Sequence, residues 1–326
     1  MTENNDLNKF DSSLSYYSSE NAATESGTAK KKKLRGLLLT SAVAFVLIAI
    51  FAYALFMLLS YSKETDENAS TYEEIRPNPK AYDSEVKPAT PLPEPMPMYN
   101  LMQTYNTNGN YPQYIDDPVP ADEAQRRRSY YKNYLNFRAS YDNAFAWVYV
   151  SHTNMDYPVM KELSDGFYLT HNYKGDTSSS GSIFTDMRTS DDYLSNRNVI
   201  IHGHCMKNGS MFRTLKTFME SANRNTLAKD MVVEIYRPEG LYIYSVLTGY
   251  RDDKGTFMRV SFADDEDYYK WLKTAVSNNK LSVSDKYDYG TKIVTLVTCA
   301  NVSSNEDERY VLQCALKSFI PGDSLK

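Results

Sequence analysis

A long uncharged run, from Gly36 to Tyr61, constrains the fold of this 326-residue chain more than any other feature. The run has 26 residues, most of them apolar. As a helix rising about 1.5 Å per residue, it reaches roughly 39 Å, enough to cross a hydrocarbon core of about 30 Å. We therefore predict a transmembrane helix at 36–61, which leaves the rest of the chain to fold on either side of a membrane.

Charges on the two sides of this run predict its orientation. Lys30–Lys33 and Arg35 precede it, whereas Glu64, Asp66 and Glu67 follow it. Because basic residues stay on the cytoplasmic side, we expect residues 1–35 to be a cytoplasmic tail and the C-terminal part to lie outside the cell. The polar residues 1–29 have no apolar period, which predicts a disordered tail. The alternative is a cleaved signal peptide with its site at Ala52-x-Ala54, but the run is too long for a usual signal sequence.

Residues 62–120 are rich in proline and lack a sustained apolar period. They contain ten of the thirteen prolines in the chain. Such segments favour extended, semi-rigid conformations, so we predict an extracellular linker with no binding role of its own. Residues 121–326 then form the folded domain.

The folded domain begins with a helical pattern and continues with short strand-like runs. Aromatic and apolar residues at spacings of three and four predict an amphipathic helix over 121–142, and we expect its Arg126–Arg128 triplet to be a solvated face. A second helix is predicted over 264–279. The β-type runs, separated by Asn, Gly, Asp and Ser, predict an antiparallel barrel or sandwich, and they lie at 146–151, 181–186, 198–202, 231–237, 241–252, 292–298 and 309–316.

The last two runs carry a cysteine and an arginine that we select as candidate site residues. Cys299 follows a strand rich in β-branched residues, which holds a thiol at a fixed place at the edge of a sheet. Arg309 opens the next run and alternates in direction with Cys314. We therefore expect Arg309 to face a site and Cys314 to face the core.

A nucleophilic thiol needs a basic partner and donors for the oxyanion that forms on the attacked carbonyl. The chain has four histidines, and His202 and His204 lie in NVIIHGHCMKNGSMF (198–212), where a strand run meets a glycine-containing loop. His152 and His171 sit among aromatic and strand residues without a partner motif, and we expect them to be structural.

The motifs together resemble the sortases, and class B most closely. The resemblance rests on TLVTC at 295–299, on Gly203 and His204 followed by MKNGSMF, and on Arg309. It extends upstream, in the same order, to AWVYV around Trp147, DYPV at 156–159, YLTH at 168–171 and GSIF at 181–184 before Asp186 and Arg188.

This resemblance implies a fold and a reaction. The fold is mainly β: a sortase-like closed barrel with N-terminal helices and one inserted helix before the cysteine strand. The activity is that of a cysteine transpeptidase of the Gram-positive cell membrane, with Cys299 as nucleophile, His204 as acid/base and Arg309 on the oxyanion. His202 stands where class B sortases commonly have tyrosine, and we expect a supporting role for it. Val297 and Asn301 are candidates for the substrate groove.

The implied partners are secreted proteins with a C-terminal sorting motif and an amine of peptidoglycan or of a pilin. Two alternatives share the fold: a thiol peptidase that only hydrolyses, and a non-catalytic, membrane-tethered binding module.

The composition excludes other classes of function. The net charge of −5 argues against general nucleic-acid binding. Three scattered cysteines are too few for a disulfide scaffold or a zinc site, and we expect no metal or cofactor. A disulfide from Cys205 to Cys299 or Cys314 is left open by the sequence.

Overall fold

The computed structural model describes residues 11–77, 96–97, 121–283, 285–299 and 308–326. The chain divides into two compact units, Met1–Lys63 and Glu64–Lys326. Helix α1, Asp11–Ile75, contains the first unit's described residues and the beginning of the second.

The first unit is helical from Asp11 onward. Among the described residues, one helix section, Lys30–Ile75, is long and apolar enough to cross a membrane, and it lies near the N-terminus. The backbone of residues 11–29 is helical, although we predicted a disordered tail there. Extending a helix is far less costly than nucleating one, so a polar segment continues the helix of its apolar neighbour.

The predicted linker also begins differently. Residues 62–75 are the last turns of α1, and Tyr72 is buried in the second unit. The short strand β1, Met96–Pro97, pairs with the last strand of the chain. The remaining linker positions, 78–95 and 98–120, lie outside the described residues, and their extended conformation stays a prediction.

The second unit is a closed β-barrel, as the family resemblance implied, but it is not wholly antiparallel as the strand pattern had predicted. Its strands are β2 Ala144–Val150, β3 Asp156–Lys161, β4 Ile183–Thr185, β5 Asn198–His202, β6 Val232–Arg237, β7 Gly240–Asp252, β8 Ile293–Cys299 and β9 Arg309–Pro321. Their order is β9-β7-β6-β2-β3-β4-β5-β8, and β8 pairs with β9 to close the barrel. The strands β3–β4 and β5–β8 pair in parallel.

Within the described residues, four shorter α-helices accompany the barrel: α2 Ala121–Ser140, α3 Arg213–Glu220, α4 Arg224–Asp230 and α5 Asp265–Ser277. Helix α2 packs Tyr130, Tyr134 and Phe137 inward, as its pattern indicated. Helix α5 is the predicted insertion before the cysteine strand. The Asp264 carboxylate accepts a hydrogen bond from the Asp267 backbone amide at 2.8 Å, and this cap starts α5 where the sequence turns acidic.

The arginine triplet of α2 corrects one expectation. Arg126 and Arg127 do not form a solvated face; both bind Glu234 of β6, which is 1% exposed. Arg126 donates from both terminal nitrogens to the two carboxylate oxygens at 2.8 Å, and Arg127 Nε donates at 2.8 Å. The anionic partner lies more than a hundred positions further along the chain, so no local pattern could reveal it.

The sequence missed strand β3 and helices α3 and α4. Strand β3 contains Pro158, which lacks an amide proton and weakens a strand pattern. Here Pro158 is opposite Trp147 in an antiparallel pair whose register shifts between Ala144 and Ala146. In contrast, both ends of β5 match the prediction of 198–202, because the strand run stops just before Gly203.

Candidate active site

The candidate site lies at the edge of the barrel where β5 and β8 end. These strands are parallel neighbours, with His202 opposite Val297, so their carboxyl ends meet at the same edge. The Gly203 amide donates to the Val297 carbonyl at 3.2 Å, which carries the pairing one residue past β5. The chain therefore brings His204 beside the end of β8.

Cys299 and Arg309 meet at this edge through backbone pairing. Cys299 is the last residue of β8 and Arg309 the first of β9, and their Cα atoms are partners in the antiparallel ladder. The β8–β9 pairing has no register shift along its length, so the alternation predicted for β9 holds. Arg309 lines a cleft, whereas Cys314 is fully buried in the core. Burial raises the pKa of the Cys314 thiol, which suits a core residue.

The His204 side chain is held by a backbone carbonyl of Leu169, on another wall of the cleft. Its Nε2 lies 2.8 Å from the Leu169 carbonyl oxygen. A carbonyl oxygen only accepts hydrogen bonds, so Nε2 carries the proton in this arrangement. The imidazole is thereby fixed in both orientation and tautomer.

Gly203 lets the loop that carries His204 approach the barrel closely. A Cβ atom at this position would be 2.5 Å from Ile183 Cδ1 and 2.6 Å from Phe212 Cγ. We call residues 203–212 the His204 loop. It is closed by the Phe212 amide, which donates to the His204 carbonyl at 2.9 Å, and by a bridge between Cys205 and Met211.

His202 differs from His204 in its surroundings. Its ring stacks on Phe184 with 5.2 Å between centroids. Burial lowers the pKa of His202 to about 4; the Asp186 carboxylate opposes this shift, while Arg309 and Arg188 add to it. His202 is therefore neutral at neutral pH. The supporting role that we expect for His202 stays a prediction.

A cleft of about 630 Å³ runs along this edge. Its lining includes His202, His204, Val297, Thr298 and Arg309, so the structure brings these predicted residues together. Asn301, the other groove candidate, lies outside the described residues. Large apolar side chains are exposed in the cleft at Leu169, Met187 and Met258, at 45%, 51% and 40%. Exposed apolar groups that share a cleft indicate a binding surface.

One wall of the cleft, the 253–262 loop between β7 and α5, was not identified from the sequence. Arg188 donates to the Met258 carbonyl at 3.0 Å while it pairs with Asp186. Asn198 donates to the carbonyls of Phe257 and Arg259 at 3.1 and 2.9 Å. Asp186 and Arg188 belong to the motifs that carry the family resemblance. The hydrogen bond from Arg188 to this loop joins distant positions, so a single sequence gives no sign of it.

The cysteines other than Cys299 are free thiols. Cys205 and Cys314 are both buried, and no disulfide joins them. Cys205 Sγ accepts a hydrogen bond from Arg213 at 3.7 Å. The disulfides that the sequence left open are therefore absent at Cys205 and Cys314 in this structure.

Comparisons with known proteins agree with this geometry. A sortase domain family model matches residues 148–317. Sortase B of Listeria monocytogenes is 32% identical over 171 residues, covering 51% of this chain and 67% of that protein. Sortase B of Staphylococcus aureus is 28% identical over 171 residues, with the same coverage of 51% and 67%.

Solved structures give the same result. A mutant form of Clostridium perfringens sortase B superimposes with a TM-score of 0.53 at 26% identity, covering 59% of this chain and 90% of that one. The Staphylococcus aureus sortase B–substrate complex has a TM-score of 0.55 at 18% identity, covering 78% and 99%, and supports the fold alone. The chain therefore belongs to the sortase family, class B, whose members are cysteine transpeptidases.

Proposed function

We propose that this chain is a membrane-anchored transpeptidase that cleaves a C-terminal sorting motif of secreted proteins. The acyl product is joined to an amine of cell-wall peptidoglycan or of a pilin. The observation that carries the proposal is the register at the barrel edge, where the end of β8 meets Arg309 and the His204 loop in one cleft. The basic residues before the apolar run support a cytoplasmic N-terminus and an extracellular domain.

In the first half-reaction, the Cys299 thiolate attacks the carbonyl carbon of the scissile peptide bond. The Arg309 guanidinium donates to the oxyanion that forms, since a fixed cation stabilises charge that develops in the transition state. Imidazolium His204 gives a proton to the leaving nitrogen as the C–N bond breaks, and a thioester remains on Cys299. With Nε2 bonded to Leu169, this proton transfer is assigned to Nδ1.

In the second half-reaction, an amine attacks the thioester carbon. Neutral His204 accepts the proton of that amine, the C–S bond breaks, and Cys299 returns to the thiolate. His202 is not used as the acid, because a group with a pKa of about 4 holds almost no proton at neutral pH. The apolar groups in the cleft suit a peptide with at least one apolar side chain.

The test uses a library of fluorogenic pentapeptides with the full-length protein in detergent. We expect Cys299→Ala and His204→Ala to abolish cleavage, and Arg309→Ala to lower kcat by about 10²- to 10³-fold while Cys299 remains open to alkylation. Cys314→Ala is the matched thiol control and should retain turnover. Full cleavage by Cys299→Ala would refute the assignment of the nucleophile.

An added amine acceptor separates transpeptidation from hydrolysis. A ligated product supports the proposal, whereas release of free acid alone would identify a thiol peptidase. Resistance of Cys299 to alkylation at neutral pH in the folded protein would instead favour a non-catalytic binding module.

A further inference from the structure

The last turns of α1 and the residue after it, 64–76, pack on the barrel as part of the second unit. We call this segment the helix end. Tyr72 is 2% exposed, and its ring makes edge contacts with Tyr157 and Tyr173 at centroid distances of 5.5 and 5.3 Å. Asn133 of α2 donates to the Ile75 carbonyl at 3.0 Å. The helix end is thus fixed to the domain before the predicted linker continues.

The helix end contacts the His204 loop directly. Asn208 Nδ2 in this loop donates to the Thr65 carbonyl at 3.1 Å, and Thr65 is 5% exposed. Asn208 also accepts from the Ser210 amide at 3.1 Å. One amide side chain therefore shapes the loop and attaches it to the helix end.

A second connection passes through Tyr157 of β3. The Arg76 guanidinium lies 4.9 Å from the centre of the Tyr157 ring, and its Nε donates to the Asp156 carbonyl at 3.0 Å. The Tyr157 hydroxyl in turn accepts from the Met211 amide at 2.9 Å. Met211 has a φ of 55°, which a non-glycine residue adopts only when its surroundings hold it. Met211 is also the bridge partner of Cys205, the residue after His204.

A third connection supports β4, on which the His204 loop rests. The Tyr72 hydroxyl donates to the Gly181 carbonyl at 3.0 Å and lies 3.3 Å from Ser182 Oγ. Burial raises the pKa of Tyr72, so the hydroxyl keeps its proton and remains a donor. The next residue, Ile183, is one of the two that leave no room for a side chain at Gly203.

We propose that the helix end is a positioning element of the active site, which holds the His204 loop through Asn208, through Tyr157 and Met211, and through the start of β4. The proposal rests on the proposed function, because it assigns the helix end an effect on the group that moves the proton. It also means that residues 64–76, which the sequence assigned to the linker, contribute to the active site.

The test compares two mild variants of the full-length protein in detergent. Tyr72→Phe removes one hydroxyl and keeps the ring, and Asn208→Ala removes the direct bond to the helix end. We expect kcat on a sorting-motif peptide to fall about five- to tenfold in each, with KM unchanged, because a small misplacement of an acid/base group slows proton transfer more than binding. The pH profile of kcat should shift in both, and Asn208→Gln, which keeps an amide donor, should recover part of the rate.

Ser70→Ala is the matched control, since Ser70 is exposed on the same helix and its hydroxyl donates to the Glu67 carbonyl within that helix. Variants that match this control in kcat and pH profile, with or without a lower melting temperature, would overturn the proposal. If Cys299→Ala or His204→Ala retains turnover, the proposed function itself fails. If those two are inactive while Tyr72→Phe and Asn208→Ala behave as wild type, only the positioning role is wrong.

Discussion

His202 and His204 are two residues apart, and the barrel gives them different environments. His204 follows the glycine at the end of β5 and binds the Leu169 carbonyl on the far wall of the cleft. His202 is still within β5, against Phe184, with Arg309 and Arg188 nearby. His202 is the last residue of β5, whereas His204 lies in the loop that begins at Gly203, and this difference in position accounts for their different environments. The motif resemblance alone did not explain it.

The environment of His202 predicts a pH effect on stability. Its pKa is lowered from 6.5 to about 4 in the folded protein, so the unfolded chain binds more protons between these values. The contribution of the neutral imidazole is fully present above pH 6.5 and is lost as the pH falls through 4. Denaturant unfolding across this range should show a steeper loss of stability in the wild type than in His202→Gln.

His152→Gln provides the control for that measurement, since His152 is exposed. Its unfolding free energy should follow the wild-type slope with pH. An equal slope for wild type and His202→Gln would mean that His202 is not held neutral by the barrel.

At the scale of elements, α2 is attached to β6 by an ion cluster. Burial would raise the pKa of Glu234, but Arg126 and Arg127 outweigh it and lower the pKa to about 2. Glu234→Gln removes the buried anion that Arg126 and Arg127 share and leaves them paired with Glu123, whose side chain is 37% exposed. We expect it to cost about 3 kcal/mol of unfolding free energy. Glu266→Gln, at an exposed position on α5, should cost much less in the same denaturant titration. A loss equal to that of the control would show that α2 does not depend on this cluster.

The 253–262 loop depends on a side chain from another element. Arg188, after β4, reaches across to the Met258 carbonyl, and Met258 lines the cleft. Removing this bond should loosen the cleft wall at Met258 and leave Cys299, His204 and Arg309 in place. Arg188→Ala should therefore raise KM for a sorting-motif peptide by roughly tenfold with a small change in kcat.

Arg224→Ala is a suitable control for peptide kinetics, because Arg224 bonds the Ser221 carbonyl in the connection between α3 and α4. It should leave KM unchanged. A fall in kcat at constant KM for Arg188→Ala would assign Arg188 to the reacting groups instead of the wall.

The same elements show which parts of the fold are encoded locally. Strand β5 and helix α5 were predicted because each has a clear period and a defined end, at Gly203 and at the Asp264 cap. Strand β3 was missed because Pro158 interrupts its pattern. The Arg126–Glu234 and Arg188–Met258 contacts join distant positions, and neither end carries a local signal of the other.

At the scale of the whole molecule, the sequence predicted a helix suited to a membrane and a closed barrel with its site at one edge. It did not predict that residues 64–76 belong to the barrel unit, because this polar segment lacks an apolar period and its anchoring depends on Tyr72 and Arg76 meeting distant loops. The boundaries at residues 35 and 61 and the side of the membrane stay predictions. The meeting of Cys299, His204 and Arg309 was expected from family motifs and stays a prediction. The β5–β8 and β8–β9 pairs bring the backbone at these positions to one edge of the barrel.

The central claim is that acyl transfer passes through Cys299, the residue at which β8 meets Arg309. The most direct measurement is mass spectrometry of the protein quenched in acid during turnover of a sorting-motif peptide, followed by digestion. The account predicts an added acyl mass on the fragment that contains Cys299, and more of it when the amine acceptor is withheld. An acyl mass on Cys205 or Cys314, or product formation with no acylated cysteine, would contradict it.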